Sequence, residues 1–282
     1  MKLVKDFTDY QILDMGDGMK LEKWGNVTLL RPDPQIIWNN KINSSYDAVY
    51  NRSKTGGGAW DIKNNKIPTS WSVKYDDLVF NLKLMGFKHT GLFPEQAYNW
   101  NLIREKIKNS DKEEVKVLNL FAYTGGASIA ALSAGATVVH VDSSRGMVDW
   151  AKENVKSSGL SDKPIRFIVD DVIKFVEREI RRGNKYDMIL MDPPSFGRGA
   201  NKEVWDIEKD LFNLVSLCSK ILSDDPILFV INSYTTGLSM TVLENVLKLT
   251  IPYEGKISSD ELGVLSNNGL VLPCGIYARW EK

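Results

Sequence analysis

Cysteine and histidine are scarce in this chain: 282 residues contain two of each. Cys218 and Cys274 lie far apart, with no Cys-x-x-Cys pair and no histidine cluster nearby. That excludes the usual spacings of a structural zinc site and of a secreted disulfide framework, and it suits a reducing cytoplasm. Net charge is missing too, since 36 Lys and Arg balance 36 Asp and Glu. Whole-chain electrostatics therefore gives no sign of a polyanionic partner, and contact with nucleic acid has to come from a local basic surface. No apolar run is long enough to span a bilayer, and the N-terminal stretch MKLVKDFTDYQILDMGDG reaches acids too early for a secretory signal. The expectation is a cytoplasmic protein with neither a metal site nor a membrane partner.

What is present points to a globular protein. Hydrophobic residues make up 43% and charged residues 26%, and the length suffices for one large domain plus a smaller one. Residues 1–88 carry short apolar runs broken by Gly, Asn, Asp and Pro, such as YQILDMG and WGNVTLLRPDP, and a glycine triplet at Gly56–Gly58. Such punctuation predicts short antiparallel strands in a small β-rich domain. Trp24, Trp38, Trp60 and Trp71 fall here, either as packing for that small core or as a stacking surface for an RNA base. Residues 89–110 read as a bridging segment, in which Pro94 opens a helix with Trp100, Leu102, Ile103 and Ile107 near one face.

From residue 111 to 282 strands and helices alternate. Apolar runs at 117–121, 137–141, 165–169, 186–191 and 227–231 predict strands. Helical patterns lie near 128–134, 145–158, 172–182, 204–222 and 239–248, and the stretch VLPCGIYARW reads as a last strand. This alternation predicts an α/β, Rossmann-like domain built on a mostly parallel sheet with right-handed crossovers.

The chemistry is expected at the carboxyl ends of those strands. The first turn reads Phe121-Ala122-Tyr123-Thr124-Gly125-Gly126, with bulky residues where a dinucleotide fingerprint needs glycine, so a nicotinamide cofactor is the weaker reading. Asp142, ending the second strand, is placed to accept hydrogen bonds from two ribose hydroxyls, a role shared with Ser143 or Ser144; capping the next helix is its alternative. After the third strand, Asp171 is chosen for the exocyclic amine of adenine and the Val172 amide for a ring nitrogen. Asp170 is the alternative, and either acid has a capping role open to it. After the fourth strand, Asp192-Pro193-Pro194-Ser195-Phe196 fixes a carboxylate and a carbonyl as a receptor for a planar N–H group, with Phe196 offering a stacking face. Ser233 and Tyr234 are further candidates for the pocket lining.

The ordered set NLFAYTGGAS, VVHVDSS, FIVDDV and MILMDPPSF resembles the class I S-adenosylmethionine-dependent methyltransferases. More narrowly, NLFAYTGG and DPPSF are similar to the bacterial large-subunit ribosomal RNA methyltransferases that modify cytosine C5 or guanine N7. The resemblance implies a seven-stranded, mostly parallel sheet, S-adenosylmethionine as cofactor and a ribosomal RNA base as substrate. It implies that Tyr123, Thr124 and Gly125 surround the cofactor's methionine part, that Asp142 holds the ribose and Asp171 the adenine, and that Phe121, Ser143 and Val172 belong to the same cofactor-binding set. Phe93 and Gln96 match a segment that covers the cofactor, and Asp192, Pro193 and Phe196 match the acceptor loop. The cytosine C5 enzymes carry a cysteine after the fifth strand, where this chain reads Ile231-Asn232-Ser233-Tyr234-Thr235. Addition of a thiolate to the base is therefore disfavoured, and a nitrogen that attacks the methyl group directly is expected. The rivals are a nucleotide-dependent oxidoreductase, a cofactor-binding module without catalysis, and a methyltransferase of proteins or small molecules.

Overall fold

The apolar runs of the second half become the inner strands of one sheet, because a strand covered by helices on both faces has no wet side on which to alternate. The computed structural model describes residues 1–53, 57–199, 203–235 and 237–282. Gly56, the first of the glycine triplet, lies outside them. Two compact units are distinguished: Met1–Lys2, Asn99–Leu262 and Gly275–Lys282 form one, and Leu3–Tyr98 with Gly263–Cys274 form the other. Compared with an expected partition at residues 88 and 110, the bridging segment is divided between Tyr98 and Asn99, and Gly263–Cys274 joins the N-terminal residues.

After a two-residue strand β1 (Lys2–Leu3), the N-terminal unit builds a five-stranded sheet from β2 (Tyr10–Gly16), β3 (Met19–Trp24), β4 (Val27–Pro32), β5 (Ala48–Arg52) and β6 (Gly58–Ile62). The strands lie in that order and are antiparallel except for the β4–β5 pair. Strands β7 (Trp71–Tyr75) and β8 (Leu78–Leu82) form a separate hairpin. Asp17 and Gly18, at φ 51° and 76°, make the Asp-Gly turn that suits the twist of a two-stranded hairpin. Trp24 is fully buried, while the indole N–H groups of Trp38 and Trp60 donate to the carbonyls of Met15 and Met85. Those three tryptophans therefore hold the small unit together. Beneath them, the Glu22 carboxylate accepts from Tyr10 at 2.7 Å and from Arg31 Nε at 2.5 Å. Burial pushes that carboxyl up, but Arg31 and Lys20 outweigh it and bring it down to about 2.

A single 3₁₀ turn at Pro94–Gln96 leads into α1 (Ala97–Lys108), whose Trp100, Ile103 and Ile107 are buried. The larger unit continues with β9 (Lys116–Leu120), α2 (Gly126–Ser133), β10 (Thr137–Asp142), α3 (Arg145–Ser157), β11 (Ile165–Val169), α4 (Val172–Arg182) and β12 (Met188–Met191). After these come β13 (Phe196–Arg198), β14 (Val204–Asp206), α5 (Ile207–Ser219), β15 (Leu228–Ser233), α6 (Met240–Thr250), β16 (Lys256–Leu265) and β17 (Val271–Glu281), the last two belonging to the larger unit only up to Leu262 and from Gly275. The main sheet has the order β1-β16-β17-β15-β12-β9-β10-β11. From β15 to β11 neighbours pair in parallel, and β17 is antiparallel to β15. The chain moves outward from β9 through β10 to β11, then returns to the other side of β9 with β12. That reversal opens the crevice where open α/β sheets bind ligands.

The seven expected strands are present, and the two-residue β1 adds an eighth at the edge. One expectation is corrected. The helix predicted from residue 204 starts at Ile207, because Asp206 caps it by accepting from the Glu208 amide and residues 204–206 pair instead with 196–198. Strand β16 was not anticipated, since LysIleSerSerAspGlu has no clean two-residue alternation. No helix among the described residues is long and apolar enough to cross a membrane.

Candidate active site

The turn after β9 achieves its curvature without the expected glycines. Phe121 and Tyr123 adopt φ 53° and 51°, and Gly125 adopts 91°. Bulky residues rarely occupy this left-handed region, and where they do, surrounding structure has to hold them. Here the Ala122 amide donates to the Val141 carbonyl at 3.0 Å, and the Tyr123 amide donates to Asp142 Oδ2 at 2.9 Å. Asn154 on α3 donates to the Thr124 carbonyl at 2.9 Å. Gly125 and Gly126 are required on spatial grounds: a Cβ at Gly125 would lie 3.1 Å from Ala151 Cβ, and one at Gly126 would lie 2.8 Å from the Trp100 ring.

Below the turn is a buried polar chain that sequence reading missed. Asn119 Nδ2 donates to Ser128 Oγ at 3.0 Å, and Ser128 Oγ lies 3.0 Å from His140 Nδ1. Burial pushes His140 down to about 3, so the ring is neutral and shares one hydrogen bond with the Ser128 hydroxyl.

Asp142 is half-buried at the tip of β10. Its Oδ1 accepts from the Ser144 amide at 2.8 Å and its Oδ2 from the Tyr123 amide. Burial raises this carboxyl, and those two amides oppose the rise. Each oxygen keeps acceptor capacity, so the group fits a vicinal diol. The capping alternative is not what is found: Ser144 holds the N-cap position of α3, and the exposed Ser143 sits between the two. Asp171 does cap α4, accepting from the Lys174 amide at 3.0 Å through Oδ1. Asp170, its alternative, is bound to the Arg178 guanidinium and to the Asp171 amide, while Val172 opens the helix in a buried position.

The loop after β12 is pinned from several sides. The Pro194 carbonyl accepts from Trp205 Nε1 at 2.7 Å, Ser195 Oγ lies 2.6 Å from Thr235 Oγ1, and the Ser195 carbonyl accepts from the Ile207 amide at 3.1 Å. Asn232 joins this region, accepting from Asn99 at 2.9 Å. Asp192 is half-buried, Pro193 is buried, and Phe196 is 55% exposed on β13. Ser233 is buried and accepts from the Thr235 amide, whereas Tyr234 is exposed. Thus the fold brings Asp142, at the tip of β10, beside the turn that holds Phe121, Tyr123, Thr124 and Gly125, and gathers Asp192, Pro193 and the start of β13 at Phe196 after β12. Phe93 and Gln96 belong to the N-terminal unit, where Phe93 lies 5.2 Å from the His89 ring.

Neither cysteine resembles an activated nucleophile. Cys218 is fully buried on α5, Cys274 lies in the N-terminal unit, and burial pushes both thiols up. Among the described residues no cluster of His, Cys, Asp and Glu is arranged to hold a metal ion.

The turn and Asp142 fit an adenosine-bearing cofactor without a pyrophosphate, because a carboxylate with spare acceptor capacity lies beside the turn and bulky side chains occupy the glycine positions that close approach of a pyrophosphate needs. Comparison with known proteins agrees. A crystallised S-adenosylmethionine-dependent methyltransferase from Agrobacterium tumefaciens shares 35% identity with a TM-score of 0.92, over 97% of this chain and 90% of that one. Among curated relatives, the ribosomal RNA large subunit methyltransferase K/L of Shewanella sp. (strain MR-4) is 32% identical over 63% of this chain, and that of Syntrophotalea carbinolica is 30% identical over 72%. These matches span only 26% and 28% of those relatives' lengths. The family described as S-adenosylmethionine-dependent methyltransferase matches residues 50–248, and the chain belongs to it.

Proposed function

We propose that this methyltransferase acts on a base of ribosomal RNA, in the cytoplasm, at a nitrogen that attacks the methyl group directly. The observation that carries the reading is the loop after β12: a half-buried carboxylate, Asp192, followed by an exposed aromatic, Phe196, on a backbone anchored through Pro194 and Ser195. An acceptor that must be aligned to a fraction of an ångström is served by such rigidity. The curated relatives named as ribosomal RNA methyltransferases support the substrate class.

The bound cofactor supplies an electrophilic methyl group on a sulfonium. In this reading Asp142, with Ser143, accepts from the ribose hydroxyls, and the left-handed turn from Phe121 to Gly125 receives the methionine part. Asp171 uses the carboxylate oxygen not engaged in capping for the adenine amine, and the Val172 amide meets a ring nitrogen. Asp192 and the Pro193 carbonyl hold an N–H edge of the base, and Phe196 stacks on its face, which requires the base to be splayed out of structured RNA. The buried Cys218 and the upward-shifted thiols of both Cys218 and Cys274 favour direct attack over a covalent adduct.

Labelled S-adenosylmethionine incubated with unmodified ribosomal RNA and, separately, with cell protein tests the substrate. The expected outcome is label in RNA, lost in Asp192→Ala while calorimetric cofactor affinity stays within about threefold, as for an interaction that serves the transferring base rather than the cofactor. Label confined to protein or to a small molecule refutes the RNA reading.

A further inference from the structure

Trp205 belongs to neither the cofactor turn nor the acceptor loop, yet it touches both. It lies on β14, opposite Gly197 of β13, and is only 7% exposed. Its indole N–H donates to the Pro194 carbonyl at 2.7 Å, and its ring packs on Phe121 with centroids 4.9 Å apart at 57°. Phe121 is the first left-handed residue of the cofactor turn, and Pro194 is two residues beyond Asp192. The other face of the hairpin looks outward, with Phe196 and Val204 at 55% and 59% exposure.

From this bridge we infer that Trp205 is a positioning residue for methyl transfer, setting the distance between the cofactor turn and the acceptor loop. The assignment rests on the proposed role of the Asp192 loop. A carbonyl held by a donor anchored on the opposite strand cannot drift independently of that strand, and a ring packed at a tilt against Phe121 ties the same strand to the turn. Alignment of nucleophile, methyl carbon and departing sulfur depends on that distance, and a displacement near one ångström costs on the order of a hundredfold in rate. Trp205 touches no reacting atom in this scheme.

Trp205→Phe keeps a ring against Phe121 and removes the N–H. The result expected is a fall in kcat of about tenfold to a hundredfold, with cofactor affinity and melting temperature close to those of the unaltered protein. Trp205→Tyr, which keeps more of the buried volume, is the second variant if the first does not fold, and the same split is expected. Val204→Ala, on the outward face of the same hairpin, is expected to leave kcat unchanged. The inference is overturned by unchanged kcat in the Trp205 variants, by parallel losses of kcat, affinity and melting temperature, or by a comparable loss in Val204→Ala. Asp192→Ala, run beside them, separates the two levels of the argument: full turnover there sinks the acceptor-loop reading itself, whereas its loss together with unchanged turnover in Trp205→Phe sinks only the bridge.

Discussion

Phe121 and Tyr123 carry the turn after β9 in a conformation that glycine adopts at much lower cost, so their angles have to be maintained by partners. Asp142 supplies one of these by accepting from the Tyr123 amide, and is itself oriented in return. His140 acts from below, as a neutral ring beside Ser128. Its ordinary value of 6.5 is depressed to about 3 by burial, so the unfolded chain takes up a proton that the folded one refuses. Stability is therefore complete above about pH 6.5 and declines as the pH falls from there towards 3. At pH 5 this site alone costs about 2 kcal/mol relative to pH 7, an order of magnitude set by 1.36 kcal/mol per pH unit. His89, also depressed to about 3 by burial and by nearby cations, adds a loss of the same sign. Urea unfolding at the two pH values checks this: His140→Gln is expected to show a smaller acid loss than the unaltered protein. An equal loss in both would remove His140 as a cause.

At the scale of elements, the residue before helix α4 has one observed role and one proposed role. Asp171 caps the helix through Oδ1, and the proposed contact with adenine falls to Oδ2. Asp171→Ala loses both functions, with a stability cost of about 1 kcal/mol from the missing cap and weaker cofactor binding. Asp171→Ser keeps a capping oxygen, so near-normal melting with weakened S-adenosylmethionine affinity is expected; thermal unfolding and calorimetry read the two effects separately. Wild-type affinity in Asp171→Ser would take the adenine role away from this residue. The start of α4 was legible because an acid directly before an amphipathic run is a capping signal, and the buried parallel strands were legible as apolar runs. The β13–β14 hairpin was not. Val204-Trp205-Asp206 is short, it leads straight into α5, and its apolar residues also satisfy helical spacing. Trp205 was consequently read as part of a helix, and its bond to Pro194, eleven residues away, leaves no local trace. The chain Asn119–Ser128–His140 escaped for the same reason, since three polar residues on two strands and a helix meet only through sheet register.

The whole molecule divides its tasks between units of different construction. The N-terminal unit is built from two separated stretches of chain and is organised around Glu22, Arg31 and Tyr10, while the larger unit carries the turn and the acceptor loop. Overall charge neutrality told nothing about the substrate, and the tryptophans that sequence left open between core and stacking surface include Trp24, which is fully buried. The substrate claim therefore rests on the acceptor loop and on relatives that are much longer than this chain. The most direct test is nucleoside mass spectrometry of ribosomal RNA from cells without this protein, and from the same cells supplied with the unaltered protein or with Asp192→Ala. The account predicts that one N-methylated nucleoside disappears, returns with the unaltered protein and does not return with Asp192→Ala. An unchanged nucleoside profile, or the loss of a C5-methylated cytosine instead, would contradict it.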